Sequence, residues 1–235
     1  MGKLFVNGSE IIDVFVNGSP VPASRIFMNG ALIYTKTEAG SQTFDANGTW
    51  VVPERLYSAT FCWCGGGGGG GGTNSSINSG TGGAGSGALT RSHSNLVPGT
   101  SIDVVIGAGG SGGINAPGST GGASTYNHGG LQTAAGGPGG ANNNTNTAGV
   151  NGGGTGVYAN QVSGASNGCG GSHAGSPAFS PGGAGGYGQG ASRPSGVATG
   201  VNAADNTGAG GCGAAQSQKG GNGGSGKLIV TWNDQ

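Results

Sequence analysis

The chain has 235 residues, a formal net charge of zero and only sixteen Asp, Glu, Lys and Arg side chains. It therefore has no basic face for nucleic acid and no charge excess to hold it expanded. Leu, Ile, Val and Phe number 37, too few for an ordinary core, whereas glycine numbers 61. Backbone hydrogen bonds must then hold much of the chain, or it is low-complexity sequence.

Residues 1–36 state one phrase three times: Phe5-Val6-Asn7-Gly8, Phe15-Val16-Asn17-Gly18 and Phe27-Met28-Asn29-Gly30. Asn-Gly favours the type I′ hairpin turn, because both central residues need positive φ. The spacing predicts an array of short hairpins over 1–36. Such an array cannot bury its own apolar face and packs either on the rest of the chain or on a copy or partner. No basic-then-apolar leader opens the chain, so synthesis in a cytoplasm is expected. No apolar run reaches membrane-spanning length.

A polar linker at 35–40 leads to strands expected at 41–44 and 49–52, the second ended by Pro53, which has no N–H for a ladder. The best strand runs from Leu56 to Cys64. Its alternation sets Tyr57, Ala59, Phe61 and Trp63 on one face, read as the buried one. It leads directly into eight consecutive glycines, Gly65 to Gly72.

Further strands are expected at 88–96 and 101–106, joined by a Pro98-Gly99 turn, and at 122–126. About a hundred residues without a comparable strand precede a closing strand at 227–232. That plan predicts an all-β chain: a β-sandwich over 41–235 with a large glycine-rich insertion and essentially no α-helix.

Residues 65–235 carry 55 of the 61 glycines. Each costs roughly 0.5–1 kcal/mol of extra folding entropy relative to Ala. Close backbone approach is what glycine alone allows. The islands, such as Gly107–Gly110, Gly136–Gly140, Gly208–Gly211 and Gly220–Gly224, follow no strict period of three along the chain. Collagen is thereby excluded. The expected structure is a bundle of parallel and antiparallel polyglycine II rods, three residues per turn, bonded to one another.

The segments between islands carry Tyr126, Asn127, His128, Tyr158, Asn160, Gln161, His173, Phe179, Tyr187 and Arg193. Tyr gives broad contact at low entropic cost, and Asn adapts its hydrogen bonds, so these are candidate binding-loop residues. The bland alternative is that the aromatics are lids over the lattice.

Gly107-x-Gly109-x-x-Gly112 and Gly109-x-Ser111-x-Gly113 match nucleotide and nucleophile motifs. Neither leads into a helix, so both fail their context. Cys169, His173 and Cys212 lack regular ligand spacing, and no metal, cofactor or catalytic residue is expected.

Thr49-Trp50-Val51-Val52-Pro53, the strand into Gly65–Gly72, Val97-Pro98-Gly99-Thr100 with Val104–Gly110, Gly121–Thr125 and Gly224–Val230 form an ordered set. That set resembles the glycine-rich C-terminal domains of bacteriophage tail-fibre and receptor-binding proteins. Residues 1–36 resemble short Asn-Gly hairpin arrays of phage tail proteins. The resemblance implies a non-enzymatic virion tail-tip adhesin that recognises a bacterial outer-surface receptor, protein or glycan, through loops between glycine islands. It also implies attachment to other tail proteins through residues 1–36, with a homotrimer as the commonest arrangement. A structural tail-tip protein without receptor contact is the rival reading, with an ice-binding polyglycine II protein further off.

Overall fold

The structure, a computed structural model, describes residues 37–74, 80–142, 187–188, 190–191, 199–215 and 217–234, and the backbone of the strands within 1–36. Those first strands make three separate two-stranded hairpins: β1 (Leu4–Val6) with β2 (Ser9–Ile11), β3 (Phe15–Val16) with β4 (Ser19–Pro20), and β5 (Arg25–Met28) with β6 (Ala31–Thr35). The closing pairs are Val6↔Ser9, Val16↔Ser19 and Met28↔Ala31, so each hairpin spans one of the three Asn-Gly dipeptides in sequence.

The remaining strands form two four-stranded antiparallel sheets. One has the order β10 (Ala88–His93), β9 (Ala59–Cys64), β14 (Lys227–Trp232), β7 (Gly40–Phe44). The other has the order β13 (Leu131–Ala134), β12 (Ser124–Asn127), β11 (Ser101–Val105), β8 (Gly48–Val51). Their inner faces enclose one core of Trp50, Leu56, Phe61, Trp63, Ile102, Val104, Tyr126, Leu228 and Val230, with smaller neighbours. Phe61 is its hub. It stacks on Tyr126 at 4.4 Å and meets Trp50 edge-on at 5.3 Å, geometries that aromatic quadrupoles favour. No helix occurs among the described residues.

Two sequence expectations shift. The long strand begins at Ala59, not Leu56. Residues 53–56 turn instead, with Leu56 N–H on the Pro53 carbonyl (3.1 Å) and Arg55 at φ 64°. The turn swaps the phase, so Leu56 is buried and Tyr57 is half exposed (51 %). A further strand, β13, lies in the stretch where no comparable strand was expected; the Gly129-Gly130 turn, both at positive φ, folds it back on β12.

Between the strands lies the glycine lattice. Rod 1 is 65–72, rod 2 is 80–87, rod 3 is 107–113, rod 4 is 116–122, rod 5 is 136–141, rod 6 is 208–215 and rod 7 is 219–226. Rod 1 is the axis, and every residue from Trp63 to Thr73 is buried. Its N–H groups donate in strict rotation. Gly66, Gly69 and Gly72 bond to rod 4 (Gly122, Ser119, Ala116). Gly67 and Gly70 bond to rod 7 (Gly224, Gly221). Gly68 and Gly71 bond to rod 2 (Ala84, Thr81). Its carbonyls accept in the same rotation. Gly66 and Gly69 take rod 5 (Gly137, Gly140), Gly67 and Gly70 take rod 3 (Gly110, Gly113), and Gly68 and Gly71 take rod 6 (Gly211, Ala214). All these bonds are 2.8–3.0 Å. Partners that recur every third residue are the mark of a threefold extended helix.

The outer six rods also bond to each other, in the closed order 2–5–4–3–7–6. Thr81 donates to Ala141, Gly118 to Gly140, Gly122 to Ala108, Gly223 to Gly110, Gly224 to Ala209 and Gly83 to Gly211. The residue numbers of paired groups show that rods 2, 4 and 7 run antiparallel to rod 1 and rods 3, 5 and 6 parallel to it. The result is one rod inside a hexagon of six, with direction alternating around the ring. This is the polyglycine II bundle that the islands predict, and it explains how a chain so poor in large apolar residues is held together: buried backbone groups are paired.

Candidate functional site at the rod tips

Six rods are direct continuations of strands. Rods 1, 3 and 5 leave β9, β11 and β13; rods 2, 4 and 7 run down into β10, β12 and β14. Serines stitch these junctions. Ser86 Oγ accepts Gly65 N–H (2.8 Å) and donates to the Ala135 carbonyl (2.8 Å), and Ser124 Oγ accepts Gly107 N–H (2.9 Å). Both serines are buried. Rod 6 starts at the same level, where a Cβ built on Gly208 would lie 2.8 Å from Cys64 Sγ, so every rod has one end at the sandwich and one end away from it. The lattice cannot bend without breaking several backbone bonds at once, so the far ends are fixed in space.

At those far ends, turns from separate parts of the chain meet. The Gly72 N–H bonds to the Ala116 carbonyl (3.0 Å). A Cβ built on Gly72 would lie 2.9 Å from Asn115 N and 3.0 Å from Gln218 O. Ile114 bridges Lys219, and Asn142 Nδ2 donates to the Asn115 carbonyl (2.8 Å). Asn115 and Ser217 both hold positive φ (49° and 59°), a region that Asn tolerates and Ser visits at some cost. The side chains shown to solvent are Ile114 (63 % exposed), Asn115, Gln218 and Lys219. An apolar side chain, two amides and one ammonium are thus set on a rigid base. The sequence reading did not single out any of them. Ile114 was the available signal: a large apolar residue inside an otherwise small and polar glycine-rich stretch.

The residues that sequence did single out lie elsewhere. Tyr126 is a correction. It is fully buried in the sandwich core between Phe61, Trp63 and His93, because it falls on the inward face of β12. It presents no surface. Asn127 and His128 lie at the β12–β13 turn, the end of the sandwich opposite the rods and the end at which residues 37–40 join the first sheet. His128 there shares a hydrogen bond with Asn95 (3.3 Å) and packs edge-on against His93 at 4.7 Å. Tyr187 acts as a lid. Its hydroxyl donates to the Cys62 carbonyl (2.9 Å), it packs on Cys62, Cys64 and Ala88, and Lys227 Nζ lies 5.6 Å from its ring centre. Tyr158, Asn160, Gln161, His173, Phe179 and Arg193 lie outside the described residues.

Two titrating groups in the core are shifted. Burial, with the His128 and Arg91 charges beside it, lowers the His93 imidazole below its ordinary 6.5. Burial raises the Tyr126 phenol above its ordinary 10.0. The two share a hydrogen bond of 2.9 Å, so a neutral imidazole and a neutral phenol sit together in the core. Cys62 is a free thiol, and Cys64 and Cys212 are buried. No group of three His, Cys, Asp or Glu side chains able to hold a metal occurs among the described residues. No helix among them is long and apolar enough to cross a membrane.

Fold and site together define a class: a β-sandwich six of whose strands run on into a polyglycine II lattice that displays turns at its far end. The chain belongs to the glycine-rich domain family, whose model matches residues 41–233. Residues 1–36 fall outside that match. A comparison with curated proteins finds no match.

Proposed function

We propose that this chain is a non-enzymatic receptor-binding protein of a bacteriophage tail tip, and that the rod tips meet the bacterial surface. The observation that carries the reading is the polarity of the molecule. Residues 37–40 join the sandwich at one end, and the tip turns around Gly72 lie beyond its other end. A chain anchored through residues 1–36 would therefore hold the lattice-borne tip turns outermost. Rigidity favours recognition, because preformed loops lose little freedom on binding. The tip also offers hydrogen-bonding amides beside an exposed Ile114, a mixture suited to a receptor surface.

The resemblance to phage tail-fibre and receptor-binding domains supports this reading. The three isolated hairpins of 1–36 support an attachment role, since a two-stranded hairpin alone is marginally stable and gains from a partner or from copies of itself.

The test is adsorption blocking. Purified protein is added to host cells before phage, and adsorption is counted. Wild-type protein blocks it. Ile114→Asp combined with Lys219→Glu abolishes blocking, whereas His128→Ala at the opposite end leaves it intact. Blocking that survives the tip changes, or no blocking by wild-type protein, would leave a structural tail-tip role in its place.

A further inference from the structure

A groove of about 400 Å³ runs along the flank of the lattice, between rod 3, rod 7 and the outer segment 199–204. The outer segment is tied on by backbone bonds from Cys212 N–H to Val201 and from Ala203 N–H to Asn222. The groove is therefore a built concavity with three backbone walls.

Its polar groups are fixed by the lattice. Asn222 Oδ1 accepts the N–H of Gly112 (2.9 Å), and Asn202 Oδ1 accepts the N–H of Asn222 (2.8 Å). A backbone N–H only donates, so each amide oxygen is pinned on its donor and each Nδ2 is turned the other way. Neither Nδ2 has a partner among the described residues. Gly109 precedes Gly112 by one turn of a three-residue helix, so its N–H faces the same side of rod 3. One turn along antiparallel rod 7 from Asn222 stands Ser225, but Ser225 Oγ is occupied by Asn206, accepting its N–H (2.8 Å) and donating to its Oδ1 (2.9 Å). The Gly109 N–H is thus left without a partner among the described residues. Asp205, exposed and with no ion pair among the described residues, supplies a carboxylate on the same groove.

The geometry points to this groove as a binding site for a neutral linear saccharide. Oriented amide and backbone donors beside one carboxylate match hydroxyl pairs, in which each hydroxyl both donates and accepts. The groove has no lysine or arginine wall, and its one charge repels carboxylated, sulfated or phosphorylated chains. Its polar walls offer little to an apolar peptide. The site deepens the adhesin reading, which supplies its biological meaning, by naming a glycan as one component of the receptor.

The test titrates the isotope-labelled full chain with maltohexaose, cellohexaose, galactose, mannose and N-acetylglucosamine at millimolar concentration, followed by amide NMR. Glucuronic acid and hexaglycine serve as the anionic and peptide comparisons. At least one neutral sugar is expected to shift the Gly109 amide and the side-chain amides of Asn202 and Asn222 saturably, and the two comparisons to leave them unmoved. Asp205→Ala, at an exposed position without an ion pair among the described residues, should keep the fold and weaken that sugar about tenfold, the loss of one hydrogen bond to a charged group. No saturable shift with any neutral sugar, equal binding of glucuronic acid or hexaglycine, or an unchanged affinity in Asp205→Ala would overturn the assignment. Adsorption blocking separates the two ideas. Blocking without a sugar shift removes the groove alone, and a sugar shift without blocking removes the adhesin alone.

Discussion

Gly69 gives the sharpest handle on the lattice. In Gly69→Ala, the added Cβ would lie well inside 3.0 Å of the Ser111 carbonyl, with the Gly110 carbonyl beside it. Both obstacles are backbone, so no side chain can swing away. Relief requires rod 3 to move off the axis, which strains the bonds from Gly110 to Gly67 and from Gly113 to Gly70, and the Gly69–Ser119 bond beside them. Each buried bond broken without water to replace it costs about 1–3 kcal/mol, so the variant should lose about 3–6 kcal/mol. That is a large share of a typical domain stability of about 5–15 kcal/mol, and a melting temperature lower by about 10 °C or more is expected. Gly129→Ala is the control. Its φ is +63°, and nothing lies within 4 Å of the built Cβ, so only the left-handed backbone penalty of about 1–2 kcal/mol applies. Because rod 1 is enclosed on all sides, Gly67→Ala and Gly68→Ala should cost as much as Gly69→Ala. Urea and thermal unfolding of the four variants measure this. Rod-1 variants no less stable than Gly129→Ala would refute the lattice reasoning.

Ser86→Ala strands the buried Gly65 N–H and Ser124→Ala that of Gly107; each should cost about 1–3 kcal/mol in urea unfolding. Acid should destabilise the sandwich through His93. Its folded pKa is below 6.5, so the unfolded chain binds the proton first. Stability is then full above 6.5 and falls as pH drops from there through the folded pKa. His93→Gln should flatten that part of a stability–pH profile, and an unchanged slope would reject the assignment. Tyr187→Phe loses its bond to the Cys62 carbonyl and should cost about 0.5–1.5 kcal/mol while leaving adsorption blocking unchanged.

The strands were largely legible in the sequence because each inner strand carries its own alternation. β14 was read to the residue, and β9 was read from Ala59 onward. Leu56 and Tyr57 exchanged roles because the Pro53–Leu56 turn, with Arg55 at positive φ, resets the phase before the strand begins. β13 was missed because Leu131-Gln132-Thr133-Ala134 has neither length nor β-branched alternation, and its existence depends on the Gly129-Gly130 turn.

The lattice was legible as a principle but not as an arrangement. No single period of three runs through the chain, yet one is visible along rods 3 and 7. Ala108 and Ser111 on rod 3, with Ile114 in phase just past its end, and Lys219, Asn222 and Ser225 on rod 7, mark every third position. Which island surrounds which is set by backbone pairing between distant segments, and glycines carry no side-chain signal for it. For the same reason the tip was missed. Aromatic content drew attention to Tyr126, which β12 turns inward, while Asn115, Asn142 and Gln218 are brought together only by the rods beneath them.

The most direct test of the central claim, a rigid seven-rod lattice carrying the tip, is native-state amide hydrogen exchange across Gly66 to Gly72. All seven N–H groups donate to neighbouring rods and all seven residues are buried. The account predicts slow exchange in every one of them, at the level of the core strands and set by global unfolding. A flexible glycine linker exchanges at the free-peptide rate throughout, and that result would contradict it.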